Sequence, residues 1–289
     1  MSTGLPDLPD RLPWRRRFGR FIRRHPAIAA GGCLLGVIVA IGIFAPWLGT
    51  VDPAALAPAQ RARPPDGQHW FGTDMLGRDV YSRVIFGTRV SLAVGFAVAV
   101  LAAGIGLSIG LAAGFVRWMD AVVMRVMDGM MAIPSILLAI SLLALTRGSV
   151  GNVIAAITVA EVPRLARLVR GMVLSLREQP YVAAAVAAGT RTPMVIVRHI
   201  LPNVLAPVVV QATFICAAAM ITEAILSFIG AGTPPGIPSW GNSIAEGRAL
   251  WQVKPYIMFF PALFLSVTVL AVNLLGDGLR DALDPRRLR

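Results

Sequence analysis

Glu223 is the residue in this chain that most needs a chemical explanation. It lies deep in an otherwise apolar run, residues 200–228, with no acid or base near it in sequence. An ionisable side chain at such a depth marks a functional position by default. It could meet a cationic group moving along a path through the membrane, or pair with an arginine of a neighbouring subunit. Arg125 and Asp128 are three residues apart and can meet on one helix face as an ion pair near a membrane boundary. Gly106, Ser108 and Gly110 match the G-x-S-x-G nucleophile elbow, which with His199 as base would make a serine hydrolase. An elbow needs a strand-to-helix turn, however, and this one falls in mid-span. Gly106, Gly110 and Gly114 also repeat at four-residue spacing, the pattern of a close-packing seam between helices, and that is the preferred reading. His25, His69 and His199 lie in separate segments without ligand spacing, so no metal site is expected. Cys33 and Cys216 sit in apolar runs and suit small buried side chains better than a disulfide framework. A phosphate-binding loop needs G-x-x-x-x-G-K-[ST], and the only lysine, Lys254, follows Val253. The chain therefore holds no ATP in that manner. No catalytic residue and no cofactor is assigned.

The most distinctive stretch is 181–203, YVAAAVAAGTRTPMVIVRHILPN. Ala183, Ala184, Ala185, Ala187 and Ala188 favour helix and present a flat surface that another protein can approach closely. Gly189 can end that helix in the left-handed conformation, and Pro193 can open a second one. His199, Pro202 and Asn203 follow as the chain re-enters an apolar run. Composition alone favours an ordinary Ala-rich connector, and the spacing from Gly189 to His199, Pro202 and Asn203 shifts that balance.

These elements need a membrane to position them. Of the 289 residues 56% are hydrophobic and 15% charged, against about 25% charged in ordinary soluble domains. Mean hydropathy is +0.70. Several runs exceed the ~20 residues that cross a bilayer as a helix. The net charge is +12, almost all of it arginine flanking apolar runs. That pattern sets membrane orientation and leaves no soluble domain to bind nucleic acid. The Arg-rich start precedes a run, 27–48, that is too long for a cleavable signal and is read as a retained helix.

The expected spans are 27–48, 90–116, a third centred on 129–145, a weaker fourth from 149 that is interrupted at Glu161 to Arg164, a fifth at 200–228 and a sixth at 256–276. Arg11, Arg15, Arg16, Arg17, Arg20, Arg23 and Arg24 before the first span, and Arg280, Arg286, Arg287 and Arg289 after the last, put both ends in the cytoplasm. An even number of crossings follows, so the fold class is all-α with six transmembrane helices. The organisation reads as a cytoplasmic tail 1–26, a first helix 27–48, an outer loop 49–88, a core 89–280 with the inner loop 177–199, and a tail 281–289. The outer loop fits the rule less well, since five arginines lie between 49 and 89. It and the second outer segment, 231–254, are rich in Pro and Gly and are expected to be irregular.

Five motifs in register carry a family resemblance: FGTDMLGRD at 71–79, the loop 189–203, LSFIGAG at 226–232, PSWG at 238–241 and NLLGDGLRDALDP at 273–285. With these the chain resembles the C-type inner-membrane permease of the dipeptide/oligopeptide/nickel ABC importers, over all but about its first twenty residues. The resemblance implies a type I permease architecture in the bacterial cytoplasmic membrane, surrounded by lipid. It implies a homologous second permease, two ATP-binding subunits and an extracytoplasmic substrate-binding protein as partners. It also implies alternating access for short peptides, or in the alternative for nickel or another small solute. Tyr181, Ala183, Ala184, Ala185, Gly189, His199, Pro202 and Asn203 would couple to the ATPase. Phe71, Gly72, Thr73, Asp74, Gly77, Arg78, Asp79, Pro238, Trp240 and Gly241 would meet the binding protein or substrate, and Glu223 is the candidate for the path itself. One departure is that the family's Glu before the loop glycine is Ala183 here; Arg177 and Glu178 are near enough in sequence to compensate. A stand-alone secondary transporter is the remaining alternative, but no internal repeat supports it.

Overall fold

The computed structural model describes residues 25–146 and 148–283. Most arginines of the two expected cytoplasmic tails lie outside these residues, as does the tail orientation they imply. Among the described residues the regular elements are all helices, and the one β-type contact is an isolated bridge between Thr73 and Asp79. Helix α1 spans Pro26–Ile43, α2 Val80–Phe115, α3 Arg117–Met131, α4 Ser135–Ala144 and α5 Val150–Arg177. A short α6, Pro180–Ala187, precedes the long α7, Thr192–Ile229. Helix α8 is Trp240–Gly247 and α9 is Tyr256–Leu283.

Four of these, α1, α2, α7 and α9, are long and apolar enough to cross a membrane, and α3 with α4 makes a fifth if the bent pair is one span. Length and composition thus support four or five of the six expected crossings. The third is broken by 93° between α3 and α4, where Pro134 withholds an N–H and disfavours helix at the residue before it. The fourth, expected to be interrupted at Glu161 to Arg164, is instead one continuous helix, α5, with Pro163 inside it. Its arginines keep its hydropathy low, so sequence pattern alone undervalues it.

Helix α2 is 36 residues long, about 54 Å at 1.5 Å per residue. That is far more than the ~30 Å hydrocarbon core. The helix starts at Val80, within the segment 49–88 read as an outer loop, and is longer than one crossing needs. Asp79 caps the helix, its carboxylate accepting from the backbone N–H and hydroxyl of Ser82 at 2.7 and 2.6 Å. At the other end the Arg177 guanidinium donates to the Gly114 carbonyl at 2.6 Å and stacks over Phe115.

The core lies where α2 crosses α5. Gly106, Gly110 and Gly114 face Leu165, Ala166, Val169 and Val173, so close that a Cβ on Gly110 would lie 2.5 Å from Val169 Cβ. The seam expected from four-residue spacing is present, and Ser108 merely donates to the Gly104 carbonyl one turn back. Helix α3 is held beside α5 by two ion pairs, Arg170 with Asp120 and Arg167 with Asp128. The expected partner of Asp128 was Arg125; the arginine of α5 takes its place because the α3–α4 break lays α3 along that helix. Replacing Gly110 with Val should destabilise the subunit by about 1–3 kcal/mol, the usual cost of overpacking. Thermal unfolding in detergent would measure it, with Gly104→Val, at a position open to space, as the control that changes little.

Candidate functional site

The first candidate site is the elbow between α5 and α7, expected to face inward. Pro180 begins α6, and Gly189 ends it at φ +80°. The Thr190 N–H donates to the Ala185 carbonyl and the Gly189 N–H to that of Val186, the paired bonds of a Schellman ending. Gly189 is required here for its backbone angle, since a Cβ would meet nothing within 4 Å. After Arg191 the chain starts α7 with Pro193 in its first turn. The segment Ile196–Ile200 is a π-helix, closed where the Leu201 N–H donates to the Ile196 carbonyl. Pro202 has no N–H for an ordinary helical bond to Arg198, and this wider turn accommodates it. The turn brings together three residues expected at this site. Asn203 Nδ2 donates to the His199 carbonyl at 2.7 Å and approaches the Tyr181 hydroxyl at 3.5 Å, and the Tyr181 and His199 rings lie 6.2 Å apart.

Ala183, Ala184, Gly189, Pro202 and Asn203 are exposed, Ala185 and His199 half-buried. Val186, Met194 and Val197 are also exposed, at 58%, 54% and 60%. The elbow thus offers a small-residue platform edged by unpartnered apolar side chains. Arg177 is already engaged with Gly114, which leaves exposed Glu178 as the nearer candidate to compensate for the acid absent at Ala183.

The outer site differs from expectation. Thr73, Asp74, Arg78 and Asp79 are buried, as are Gly72, Gly77, Trp240 and Gly241, while Phe71 and Pro238 are half-buried. The buried side chains are turned into the subunit. They brace the outer end instead. Asp74 accepts from the backbone N–H groups of Leu76 and Arg78, and from Arg78 Nε at 2.7 Å. Arg78 and Arg83 each donate to one oxygen of Glu246 on α8, at 2.6 and 3.1 Å. Burial pushes the Glu246 carboxyl above its usual range, and the two guanidinium groups oppose that shift. Gly72 and Gly77 have positive φ, and a Cβ on Gly77 would collide with the Ala57 carbonyl at 1.8 Å. Phe71 stacks on Phe260 of α9 with ring centres 3.9 Å apart. Trp240 donates from its indole to the Val84 carbonyl at 3.0 Å, pinning α8 to α2.

Glu223 is also interior, at 0% exposure. Its Oε1 accepts from the hydroxyls of Ser227, Ser239 and Thr233 at 2.9, 3.0 and 3.3 Å. Oε2 is buried without a hydrogen-bond partner among the described residues. The expectation that Glu223 lacks local partners is therefore corrected. Its partners are the Ser227 hydroxyl one turn along α7 and the hydroxyls of Thr233 and Ser239, brought back by the turn after α7. Sequence reasoning also missed Arg83 and Glu246. Their bond spans 163 positions, and no local spacing announces it.

The family described as the binding-protein-dependent transport system inner membrane component matches residues 104–289. The chain belongs to that family. The N-terminal transmembrane domain of oligopeptide transport permease C matches residues 13–65. The chain is 52% identical over 270 residues to a probable peptide ABC transporter permease protein of Sinorhizobium fredii, covering 93% of this chain and 92% of the relative. It is 42% identical to a dipeptide transport system permease protein of Alkalihalophilus pseudofirmus, covering 95% and 90%. It is 40% identical to a glutathione transport system permease protein of Pectobacterium atrosepticum, covering 99% and 96%. Among solved structures, a chain of the inward-facing MetNI methionine ABC transporter matches at 21% identity and TM-score 0.57, covering 70% of this chain and 96% of that one, a likeness of fold. The subunit is thus a membrane-embedded ABC-transporter permease, non-catalytic itself and one component of a larger transporter.

Two measurements test the braces of this permease. Glu246→Leu leaves two buried arginines facing Asp74 alone and should lower stability by about 3–5 kcal/mol, read as a fall in thermal midpoint in detergent. Glu223→Gln keeps an oxygen acceptor and should be tolerated. Glu223→Leu strands three hydroxyls and should cost about 1–3 kcal/mol, seen as reduced assembly of the complex.

Proposed function

We propose that this chain is the C-type permease subunit of an ATP-driven importer of short peptides in a bacterial cytoplasmic membrane, with both termini in the cytoplasm. It forms half of the translocation path and a homologous second permease forms the other half. Two ATP-binding subunits drive it, and an extracytoplasmic binding protein delivers the cargo. Support for the cargo comes from the names of relatives, which include peptide, dipeptide and glutathione permeases at 40–52% identity. Nothing in the site favours nickel.

The observation that carries the coupling reading is the exposed elbow of α6 and the start of α7. A loop serving only to connect two spans would not leave Val186, Met194 and Val197 uncovered beside a flat run of alanines. An ATPase surface that covers them removes apolar area from water and gains a rigid handle. Movement of that handle passes to α7 through the Tyr181, His199 and Asn203 contacts and to α5 through the start of α6. On the outer face the binding protein meets what is exposed, Leu56, Trp70 and Leu76, and the buried motif residues fix the shape beneath them. Glu223 is read here as a brace of that outer end.

The test is Val186→Asp, measured for co-purification of the ATPase and for binding-protein-stimulated ATP hydrolysis. A charge at the centre of a docked apolar contact should reduce coupled hydrolysis by about tenfold or more, while the thermal midpoint of the isolated subunit stays unchanged. Full coupling in that variant would refute the elbow as the docking site.

A further inference from the structure

Two apolar cavities lie end to end between the helices, and Phe96 lines both. The outer one, about 500 Å³, runs between α1 and α2 past Val39, Leu92 and Ala93, with Arg89 at its end. The inner one, about 320 Å³, continues past Ala103 towards α7 and α9. Arg89 is the last charge before the uncharged stretch of α2, the place where an arginine reaches for the bilayer interface. Its Nε and Nη2 donate to the carbonyls of Gly42 and Ile43 at 2.6 and 3.0 Å, closing the end of α1. Those acceptors carry no net charge, and the guanidinium also lies over the Phe86 ring, 5.3 Å from its centre. No carboxylate among the described residues pairs with this guanidinium.

We propose that the groove is a binding site for a glycerophospholipid of the bilayer, with its phosphate on Arg89 and one acyl chain laid inward past Phe96. The dimensions agree. Arg89 and Ala103 are separated by about 21 Å along α2, enough to hold a chain through the ~15 Å depth of one leaflet. The chemistry agrees as well. An apolar helix of another subunit would fill the groove but bring no anion to Arg89. A free anion would satisfy Arg89 but leave the groove empty. A phospholipid supplies both in one molecule, and the bilayer provides it at high concentration. Such a lipid would wedge α1 against α2 and steady the first helix, which otherwise packs mainly along α9, where Gly31 and Gly278 allow close approach. The inference stands apart from the cargo and the ATPase contact and needs only that the chain lies in a bilayer.

The test measures phospholipid retained by the full chain, with whatever subunits accompany it, after extraction in mild detergent and extensive washing. Lipid extraction and mass spectrometry provide the readout. Three proteins are compared, the parent, Arg89→Gln and Ala93→Phe. Ala93 is exposed, so a phenylalanine there occupies the groove without crowding the core. We expect the parent to retain phospholipid and each variant to retain about tenfold less, the effect of one lost charge-assisted or packing contact. The thermal midpoint of washed Ala93→Phe should match that of washed parent, which separates loss of lipid from loss of fold. The proposal is overturned if the washed parent carries no phospholipid, or if Ala93→Phe keeps as much as the parent.

Discussion

A backbone that crosses a bilayer finds no water to bond with, so every crossing segment must satisfy its own N–H and C=O groups. That constraint makes the long elements of this protein helices and confines its irregular chain to the two faces. It also removes the ordinary hydrophobic drive between helices, because lipid is as apolar as leucine. Association must come from close packing and from polar contacts. Here the packing is concentrated in the glycine face of α2 against α5, where the absence of Cβ atoms lets Val169 and Val173 approach the α2 backbone. Polar contacts hold the ends. Arg177, Arg170 and Arg167 fix the C-terminal half of α5 to α2 and α3, while Arg78, Arg83 and Glu246 tie the start of α2 to α8.

The two faces are built differently, and the difference suits a transporter subunit. At the end where α2 starts, buried Asp74, Arg78 and Arg83 meet half-buried Glu246, two acids with two arginines. Trp240 and Tyr256 add hydrogen bonds across elements far apart in sequence, to Val84 and Arg63. That end is rigid, a fixed surface on which another protein could settle. The elbow is held to the core by Val182, Val195 and Ile200 and is otherwise largely exposed. Its shape comes from its own caps, the Schellman ending at Gly189 and the π-turn before Pro202. A segment shaped locally and exposed on most sides can be gripped and moved as a unit.

The resemblance in the sequence located both faces but described their side chains unequally. At the elbow, local chemistry was enough: alanines for the helix, Gly189 for its end, Pro193 for the next start. At the outer face the motif FGTDMLGRD has a composition that suits an exposed binding loop, with two acids and an arginine. Only its long-range partners reveal that the charges are internal. Glu246 comes from a helix in a segment expected to be irregular, because its prolines and glycines outweigh the short run around Trp240. Glu223 shows the same limit. Beyond Ser227, one turn along its own helix, the partners of this isolated acid become visible only when the following turn returns Ser239 and Thr233 to it.

By itself the sequence determined the membrane class, the positions of the most apolar helices, the glycine seam and the inner elbow. Each depends on residues within a few turns of one another, where hydropathy, spacing and backbone preference act directly. Tertiary structure alone decided that α5 is continuous despite Pro163 and its arginines, and that the charges of the motif at 71–79 are internal. Those outcomes depend on neutralising charges and filling space between segments up to 168 positions apart. No local property of the chain encodes which distant group arrives to do so.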